Sequence, residues 1–426
     1  MSSVEKSAET ASYTSQVSAS GSAKTNSYLG LRGNKLNFAV SCFAGVGFLL
    51  FGYDQGVMGS LLTLPSFENT FPAMKASNNA TLQGAVIALY EIGCMSSSLA
   101  TIYLGDRLGR LKIMFIGCVI VCIGVALQAS AFTIAHLTVA RIITGLGTGF
   151  ITSTVPVYQS ECSPAKKKRT VDHDGRFSYR PLALPSHTGL TLILLLRNDG
   201  LHSSASWRAP IALQCVFAVL LISTVFFFPE SPRWLLNKGR TEEAREGPAR
   251  NLQRVALSCW SQIMQQITGI NIITYYAGTI FESYIGMSPF MSRILAALNG
   301  RRFLLFWGAI AMVFVMAGLT VTVKLAGEGN THAGVGAAVL LFAFNSFFGV
   351  SWLGGSWLLP PELLSLKLRA PGAALSTASN WAFNFMVVMI TPVGFQSIGS
   401  YTYLIFAAIN LLMAPVIYFL YPGNQG

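Results

Sequence analysis

Ten long apolar stretches run along this chain of 426 residues and constrain its fold more than any other feature. Each is close to the ~20 apolar residues that an α-helix needs to cross the hydrocarbon core of a bilayer. Because a backbone inside lipid must satisfy its own hydrogen bonds, these stretches are predicted to be membrane-spanning helices. The stretches are 36–62, 84–104, 113–133, 135–158, 209–228, 256–281, 303–323, 333–359, 372–394 and 401–420.

The composition favours an all-α membrane protein over a soluble or nucleic-acid-binding one. Apolar residues make up 52% of the chain and charged residues only 11%, whereas charged residues reach about 25% in soluble domains. The formal net charge is +12, but basic residues gather in the N-terminal tail and in alternate loops. By the positive-inside rule that tail and those loops are predicted to be cytoplasmic. The partner that this pattern implies is the lipid bilayer, and nucleic-acid binding is not expected.

Neither the polar N-terminal segment nor the cysteines show a sequence pattern typical of a catalytic or metal-binding site. Residues 1–35 are rich in Ser and Thr and have no apolar core, which predicts a disordered cytoplasmic tail rather than a signal peptide. The seven cysteines show neither metal-ligand spacing nor a disulfide framework. We find no nucleophile–base arrangement and no phosphate loop in the sequence. Neither a cofactor, a metal nor an enzymatic activity is therefore expected.

One charge pattern occurs twice, each time where an apolar stretch gives way to a basic loop. Glu161 lies seven residues before Lys168, and Glu362 lies seven residues before Arg369. Such a repeat indicates two related membrane halves that rock against each other, with ion pairs holding one side closed. The alternative is two unrelated charge clusters at the membrane surface.

Two places break the expected order of spans. The segment 170–205 is polar apart from a seven-residue apolar run, 190–196, which is too short to cross a bilayer, although the flanking basic loops require a crossing there. The same conflict recurs before Arg301 and Arg302. The pattern therefore predicts twelve spans of which two are missing. The predicted divisions are a tail at 1–35, an N-terminal half at 36–228, a cytoplasmic loop at 229–255 and a C-terminal half at 256–421.

Seven motifs in order resemble the sugar porters of the major facilitator superfamily, fungal type. They are FGYDQGV, GDRLGRLK, RIITGLGTG, PVYQSECSP, PESPRWL, QQITGIN and ELLSLKLRAPGAALSTASNW. The resemblance covers most of residues 36–169 and 205–421. It implies two six-helix halves that take up a hexose or a related sugar or polyol across the plasma membrane by alternating access, driven by protons.

The chain departs from this family where the fifth and eighth spans belong, as a mis-spliced gene model or a decayed paralogue would. We expect 170–205 not to form a regular spanning helix, and the chain as written to fold poorly and to be inactive in transport. A transporter-like sugar sensor and a non-functional product therefore remain as alternatives.

Ionisable residues inside the apolar stretches are the first candidates for function, because each is costly in lipid. Asp54 in the first span and Arg141 in the fourth are both predicted to lie about 10–12 Å deep, and this equal depth permits a pair. The resemblance implies that they couple protons to transport, with Asp54 as the proton acceptor; the alternative is a purely structural ion pair. For Glu91, also buried, the sequence favours a packing or hydrogen-bonding role over proton transfer.

Neutral amides and aromatic rings are the candidates for binding a sugar, since amides both donate and accept hydrogen bonds. Gln265, Gln266 and Asn271 lie within one apolar span. The resemblance adds Phe51, Trp357 and Asn380 as lining positions. For each residue alone, helix–helix packing or hydrogen bonding between helices is the alternative interpretation.

A further set of charges is predicted to latch the cytoplasmic side. An alternative role is to fix the topology, and both roles are compatible. Exposed pairs contribute only ~0–1 kcal/mol each, so a network is needed. The set consists of Arg110, Glu161, Lys168, Glu230, Arg233, Glu362 and Arg369.

Overall fold

The computed structural model describes residues 34–62, 64–162, 204–231, 248–271, 301–365 and 368–421. Every regular element in these ranges is a helix, so the predicted all-α fold is confirmed. The predictions for 170–203 and for the connection before Arg301 fall mainly on residues outside these ranges and stay predictions. Arg301 and Arg302 themselves are the first residues of a helix.

The first group of helices covers the N-terminal part of the described chain. The elements are α1 (Asn34–Leu61), α2 (Pro65–Thr70), α3 (Ala76–Leu108), α4 (Arg110–Ala129), α5 (Ile134–Cys162) and α6 (Ala205–Thr224), with short 3₁₀ turns at Pro72–Met74 and Val225–Phe227. Gly109, at a φ of 89°, separates α3 from α4. That positive φ favours glycine and allows the sharp turn between the two helices.

The second group covers the C-terminal part. The elements are α7 (Pro248–Ile267), α8 (Arg301–Gly327), α9 (Thr331–Phe348), α10 (Gly354–Leu363), α11 (Arg369–Ile398) and α12 (Thr402–Leu420), with a π-helical turn at Gly349–Leu353 and a 3₁₀ turn at Gly399–Tyr401. Asn330 caps α9, because its side chain accepts hydrogen bonds from the backbone N–H groups of His332 and Ala333.

Eight segments of the described chain are long and apolar enough to cross a membrane, judged by length and composition. One of them, Arg369–Phe419, contains both α11 and most of α12, and another, Thr331–Pro361, runs from α9 into α10. Each of the ten predicted stretches coincides with a helix. Only the first part of the stretch 256–281 is covered by a described helix, because α7 ends at Ile267 and most of the remaining residues lie outside the described ranges.

Small residues let α3 and α5 approach closely at the depth of the buried charges. A Cβ on Gly145 of α5 would clash with the backbone oxygen of Tyr90, and a Cβ on Gly93 of α3 would clash with the backbone oxygen of Ile142. Membrane helices commonly use small residues for such contacts. The close approach sets the positions of Tyr90 and its neighbour Glu91 relative to Arg141.

Each helix group has its own apolar core, and the two groups meet mainly through α3 and α11. At the centre of this contact Tyr90 and Cys94 of α3 pack against Trp381 of α11. A smaller cluster of Val157, Leu364 and Ala373 joins α5 to α10 and α11. The two groups are thus in apolar contact around Trp381 and around Leu364.

Candidate functional site

The two charges that the sequence placed at equal depth lie beside each other. A guanidinium nitrogen of Arg141, Nη1, is 3.7 Å from Asp54 Oδ1, and the side chains are 1% and 3% exposed. Gln214 Nε2 donates a hydrogen bond to the same Asp54 oxygen at 3.0 Å. Arg141 also donates to the backbone oxygen of Ile87 at 3.4 Å, and its guanidinium carbon lies 4.7 Å from the centre of the Tyr90 ring.

This arrangement reduces the cost of burying two charges. At an effective dielectric constant of ~20, unit charges about 4 Å apart attract by roughly 4 kcal/mol. That attraction offsets part of a desolvation penalty of several kcal/mol per ion. Removing the negative charge of Asp54 would leave Arg141 as a buried charge without a counter-ion from this pair.

Glu91 adds a second buried carboxyl close to this pair. It is fully buried on α3, and Gln55 Nε2 donates to its Oε1 at 3.4 Å. The hydrogen-bonding role that the sequence favoured for Glu91 is consistent with this contact. Gln55 follows Asp54 directly in α1, so one helix contacts both carboxyls.

The amides of α7 and α11 form one connected cluster. Asn380 Nδ2 donates to Gln265 Oε1 at 2.9 Å and to Gln262 Oε1 at 2.7 Å. In the other direction Gln266 Nε2 donates to Asn380 Oδ1 at 2.9 Å. Three of the predicted binding residues, Gln265, Gln266 and Asn380, are thereby in direct contact.

The cluster continues through Asn271, which lies beyond the end of α7 and is the last described residue of this part of the chain. Asn271 Nδ2 donates to Gln266 Oε1 at 2.7 Å and also to Asn384 Oδ1 on α11. Sequence reasoning missed Gln262 and Asn384. Each lies four residues from a predicted member, Gln266 or Asn380, and this i, i+4 spacing on one helix face could have revealed them.

Aromatic rings lie between the two helix groups beside this cluster. The Phe51 ring is 5.8 Å from the Trp357 ring and 5.5 Å from the Trp381 ring, in edge-to-face geometry in both cases. The indole nitrogens of Trp357 and Trp381 are buried and have no hydrogen-bond partner among the described residues. The structure thus brings together Phe51 and Trp357, as the sequence predicted, and adds Trp381.

Three of the charged residues predicted to form the latch contact one another within the first helix group. Arg110 Nε is 3.2 Å from Glu161 Oε2, and this pair joins α4 to α5 within the first helix group. Glu230 accepts hydrogen bonds from the backbone N–H groups of Arg110 at 3.1 Å and Leu111 at 3.2 Å. It therefore caps the start of α4, where a negative charge is favoured by the helix dipole. Neither contact joins the two groups.

The other predicted latch residues are less fully described. Arg369 is the first residue of α11 and is buried. Glu362 belongs to α10, and nothing is described of its side chain. Lys168 and Arg233 lie outside the described residues. A latch between the two groups stays a prediction.

Comparison with known proteins identifies the family. The family model "Sugar (and other) transporter" matches residues 40–251 and 247–426. The chain is 35% identical to the sugar transporter STL1 of Saccharomyces cerevisiae, over 94% of this chain and 81% of that protein. It is 32% identical to the MFS-type transporter oryC of Aspergillus oryzae, over 93% of this chain and 84% of that one.

Solved structures agree on the fold. The inward open conformation of the xylose transporter XylE from E. coli matches with a TM-score of 0.69 at 22% identity, over 92% of this chain and 97% of that chain. The proton:xylose symporter XylE bound to 6-bromo-6-deoxy-D-glucose matches with a TM-score of 0.70 at 23% identity, over 91% and 96%. The fold is therefore that of the major facilitator transporters, and the chain belongs to the Sugar (and other) transporter family.

Proposed function

We propose that this protein carries a sugar or a related polyol across the membrane, coupled to protons, by alternating access to one site between the helix groups. The observation that carries the proposal is the amide cluster of Gln265, Gln266, Asn271 and Asn380, flanked by Phe51 and Trp357. The relative in yeast is named a sugar transporter, and the structural neighbour XylE is named a proton:xylose symporter.

The amide cluster has the chemistry that a polyhydroxyl ligand needs. Each amide offers donors and an acceptor, so an amide–amide bond can be exchanged for two amide–hydroxyl bonds without leaving a buried group unpaired. The flat faces of Trp357 and Phe51 suit the apolar C–H face of a sugar ring. Amides and aromatic rings carry no net charge, which suits a neutral substrate.

The buried ion pair supports the coupling to protons. Protonation of Asp54 would remove its attraction for Arg141 and weaken a contact between α1 and α5. Because α1 also carries Phe51, that change reaches the proposed binding site. A purely structural ion pair is the alternative, and it predicts transport that is indifferent to a proton gradient.

The orientation follows from charge. We place the N-terminus and the basic loop around Arg107, Arg110 and Lys112 in the cytoplasm, by the positive-inside rule, and the protein in the plasma membrane. We keep the bounds of the N-terminal half, the cytoplasmic loop and the C-terminal half that the sequence predicts.

The test is transport by the purified full-length chain in liposomes. Exchange of a labelled hexose, pentose or polyol for its unlabelled form across the membrane would support the proposal, with protein-free liposomes as the control. A pH gradient should then drive accumulation of the same substrate. Exchange of none of these substrates would overturn the assignment for this chain.

A second candidate is a chain that no longer transports. The alignment with the yeast relative extends over 473 positions, more than the 426 residues present here, so that relative has residues without a counterpart in this chain. This difference favours the predicted loss of two spans. Insertion of the corresponding spans of a full-length relative should then restore uptake in a transporter-deficient cell, whereas robust uptake by the 426-residue chain itself would exclude this candidate. Binding of sugar without exchange would point to a sensor.

A further inference from the structure

Glu91 is a buried carboxyl that the coupling scheme above does not use. It is 0% exposed, and its Oε1 accepts a hydrogen bond from Gln55 Nε2 at 3.4 Å. No hydrogen bond of ordinary geometry reaches Glu91 Oε2 or Asp54 Oδ2 among the described residues, although the polar side chains of Asn384 and Tyr90 lie near Glu91 and Asp54, respectively. An ionised carboxylate with an oxygen that accepts no hydrogen bond costs more free energy in a membrane interior than the neutral, protonated carboxyl does. These two oxygens are therefore candidate positions for a proton.

Counting the charges limits how many protons the cluster of Asp54, Glu91 and Arg141 holds. The described groups with charge within electrostatic reach of Glu91 are one cation, Arg141, and one other carboxyl, Asp54. If both carboxyls were ionised, the cluster would carry one excess negative charge in a medium that penalises net charge. With one proton on either carboxyl the cluster is neutral. The titratable or charged groups facing Glu91 in the described chain are Asp54, Arg141, Tyr90 and Cys94.

We propose that Asp54 and Glu91 share one proton beside Arg141, so that Glu91 is the second member of the proton site. This proposal rests on the proton-coupled transport proposed above and extends it by one residue. With the proton on Glu91 Oε2, Asp54 is ionised and pairs with Arg141. Transfer of that proton to Asp54 Oδ2 leaves Glu91 ionised and Asp54 neutral, so the number of protons and the total charge are unchanged.

The position of Glu91 links this proton to the amide cluster. The uncharged side chain of Asn384 on α11 faces Glu91, and Asn384 Oδ1 accepts a hydrogen bond from Asn271. An ionised Glu91 can only accept hydrogen bonds, whereas a protonated one also donates. A change at Glu91 therefore alters the hydrogen-bonding demand on Asn384 and, through Asn271, on Gln266.

Infrared spectroscopy of the full-length chain in lipid tests the shared proton without relying on transport. The wild type at neutral pH should show the carbonyl stretch of one buried protonated carboxyl. Both Glu91→Gln and Asp54→Asn should lose this band, since either change leaves Arg141 with one carboxylate and no need for a proton. The matched control Glu68→Gln removes a surface carboxylate that pairs with Lys75, and it should retain the band.

Absence of the band in the wild type, or its persistence in Glu91→Gln, would overturn the proposal. If Glu91→Gln does not fold, Glu91→Asp decides, because it retains the carboxyl and should shift the band. An unshifted band in Glu91→Asp would contradict the assignment.

Transport by liposomes supplies the second measurement. In Glu91→Gln, accumulation driven by a pH gradient should be lost and the pH dependence of the remaining exchange should flatten, while Glu68→Gln behaves as the wild type. Accumulation in Glu91→Gln equal to that of the wild type would contradict the proposal. If the wild type exchanges no sugar at all, the proposed function fails, and the infrared result still decides whether the proton is shared.

Discussion

At Asp54, a change to asparagine separates the charge of the side chain from its shape. The amide of Asp54→Asn could still accept the hydrogen bond from Gln214, but it cannot take up a proton or neutralise Arg141. We expect Asp54→Asn to lose uphill accumulation of sugar while retaining some downhill exchange. The measurement is sugar-induced alkalinisation of a weakly buffered liposome suspension, with Glu68→Gln as the control for loss of a carboxylate. Proton uptake that survives in Asp54→Asn would exclude Asp54 as the coupling carboxyl.

At Asn380, removal of one amide disconnects the cluster at its centre. Asn380→Ala removes a hydrogen-bond partner from each of Gln265, Gln266 and Gln262, so it should weaken sugar binding by about 1–3 kcal/mol. Gln265→Ala should have an effect in the same range. The control is Asn345→Ala on α9, where the lost hydrogen bond goes to the backbone of the same helix. Equal affinities for Asn380→Ala and the control, measured by calorimetry, would mean that the amides serve packing alone.

At the scale of single helices, close packing of α3 against α5 makes a clear prediction about glycine. Gly145→Ala places a methyl group against the backbone oxygen of Tyr90, which cannot move aside as a flexible side chain would. Overpacking of this kind costs about 1–3 kcal/mol and should lower the melting temperature. Gly105→Ala is the control, since its nearest contact would be Thr101 at an ordinary 3.6 Å. A melting temperature of Gly145→Ala at or above that of the control would show that α3 and α5 are less closely packed than described.

The helices and the charges could be predicted from the sequence, whereas the roles of Gln214 and Trp381 could not. Long apolar runs leave the backbone no option in lipid other than a helix, and an ionisable residue within such a run is conspicuous. Gln214 is a single neutral residue in an apolar stretch, so nothing in the sequence marks it as a partner of Asp54. Trp381 has the same difficulty, because a tryptophan in a membrane helix is as compatible with lipid or packing as with a site. Which residues face each other across α3 and α11 depends on helix rotation, which the packing of both groups decides.

Charge and helix length together predict the orientation of the whole molecule in the membrane. Helix α3 has 33 residues, enough to place its ends on opposite sides of the membrane. The basic end near Arg107 is predicted to be cytoplasmic, so Glu68, before the other end, should be outside. The turn around Glu328, between α8 and α9, should also be outside if the number of spans missing before α8 is even, because each missing span reverses the direction of the helices that follow. Loss of a single span before α8 would reverse the second helix group.

Cysteine labelling decides between these arrangements. A membrane-impermeant thiol reagent should label Glu68→Cys and Glu328→Cys in intact cells, each introduced into a chain without its natural cysteines. Asp106→Cys, next to the basic end of α3, should be labelled only after permeabilisation. If Glu328→Cys is labelled only in permeabilised cells, the second helix group lies in the membrane the other way up. One site shared between the two groups requires the first orientation. In the reversed orientation the contact between α3 and α11, and with it the neighbouring positions of Glu91 and Asn384, could not form in the membrane.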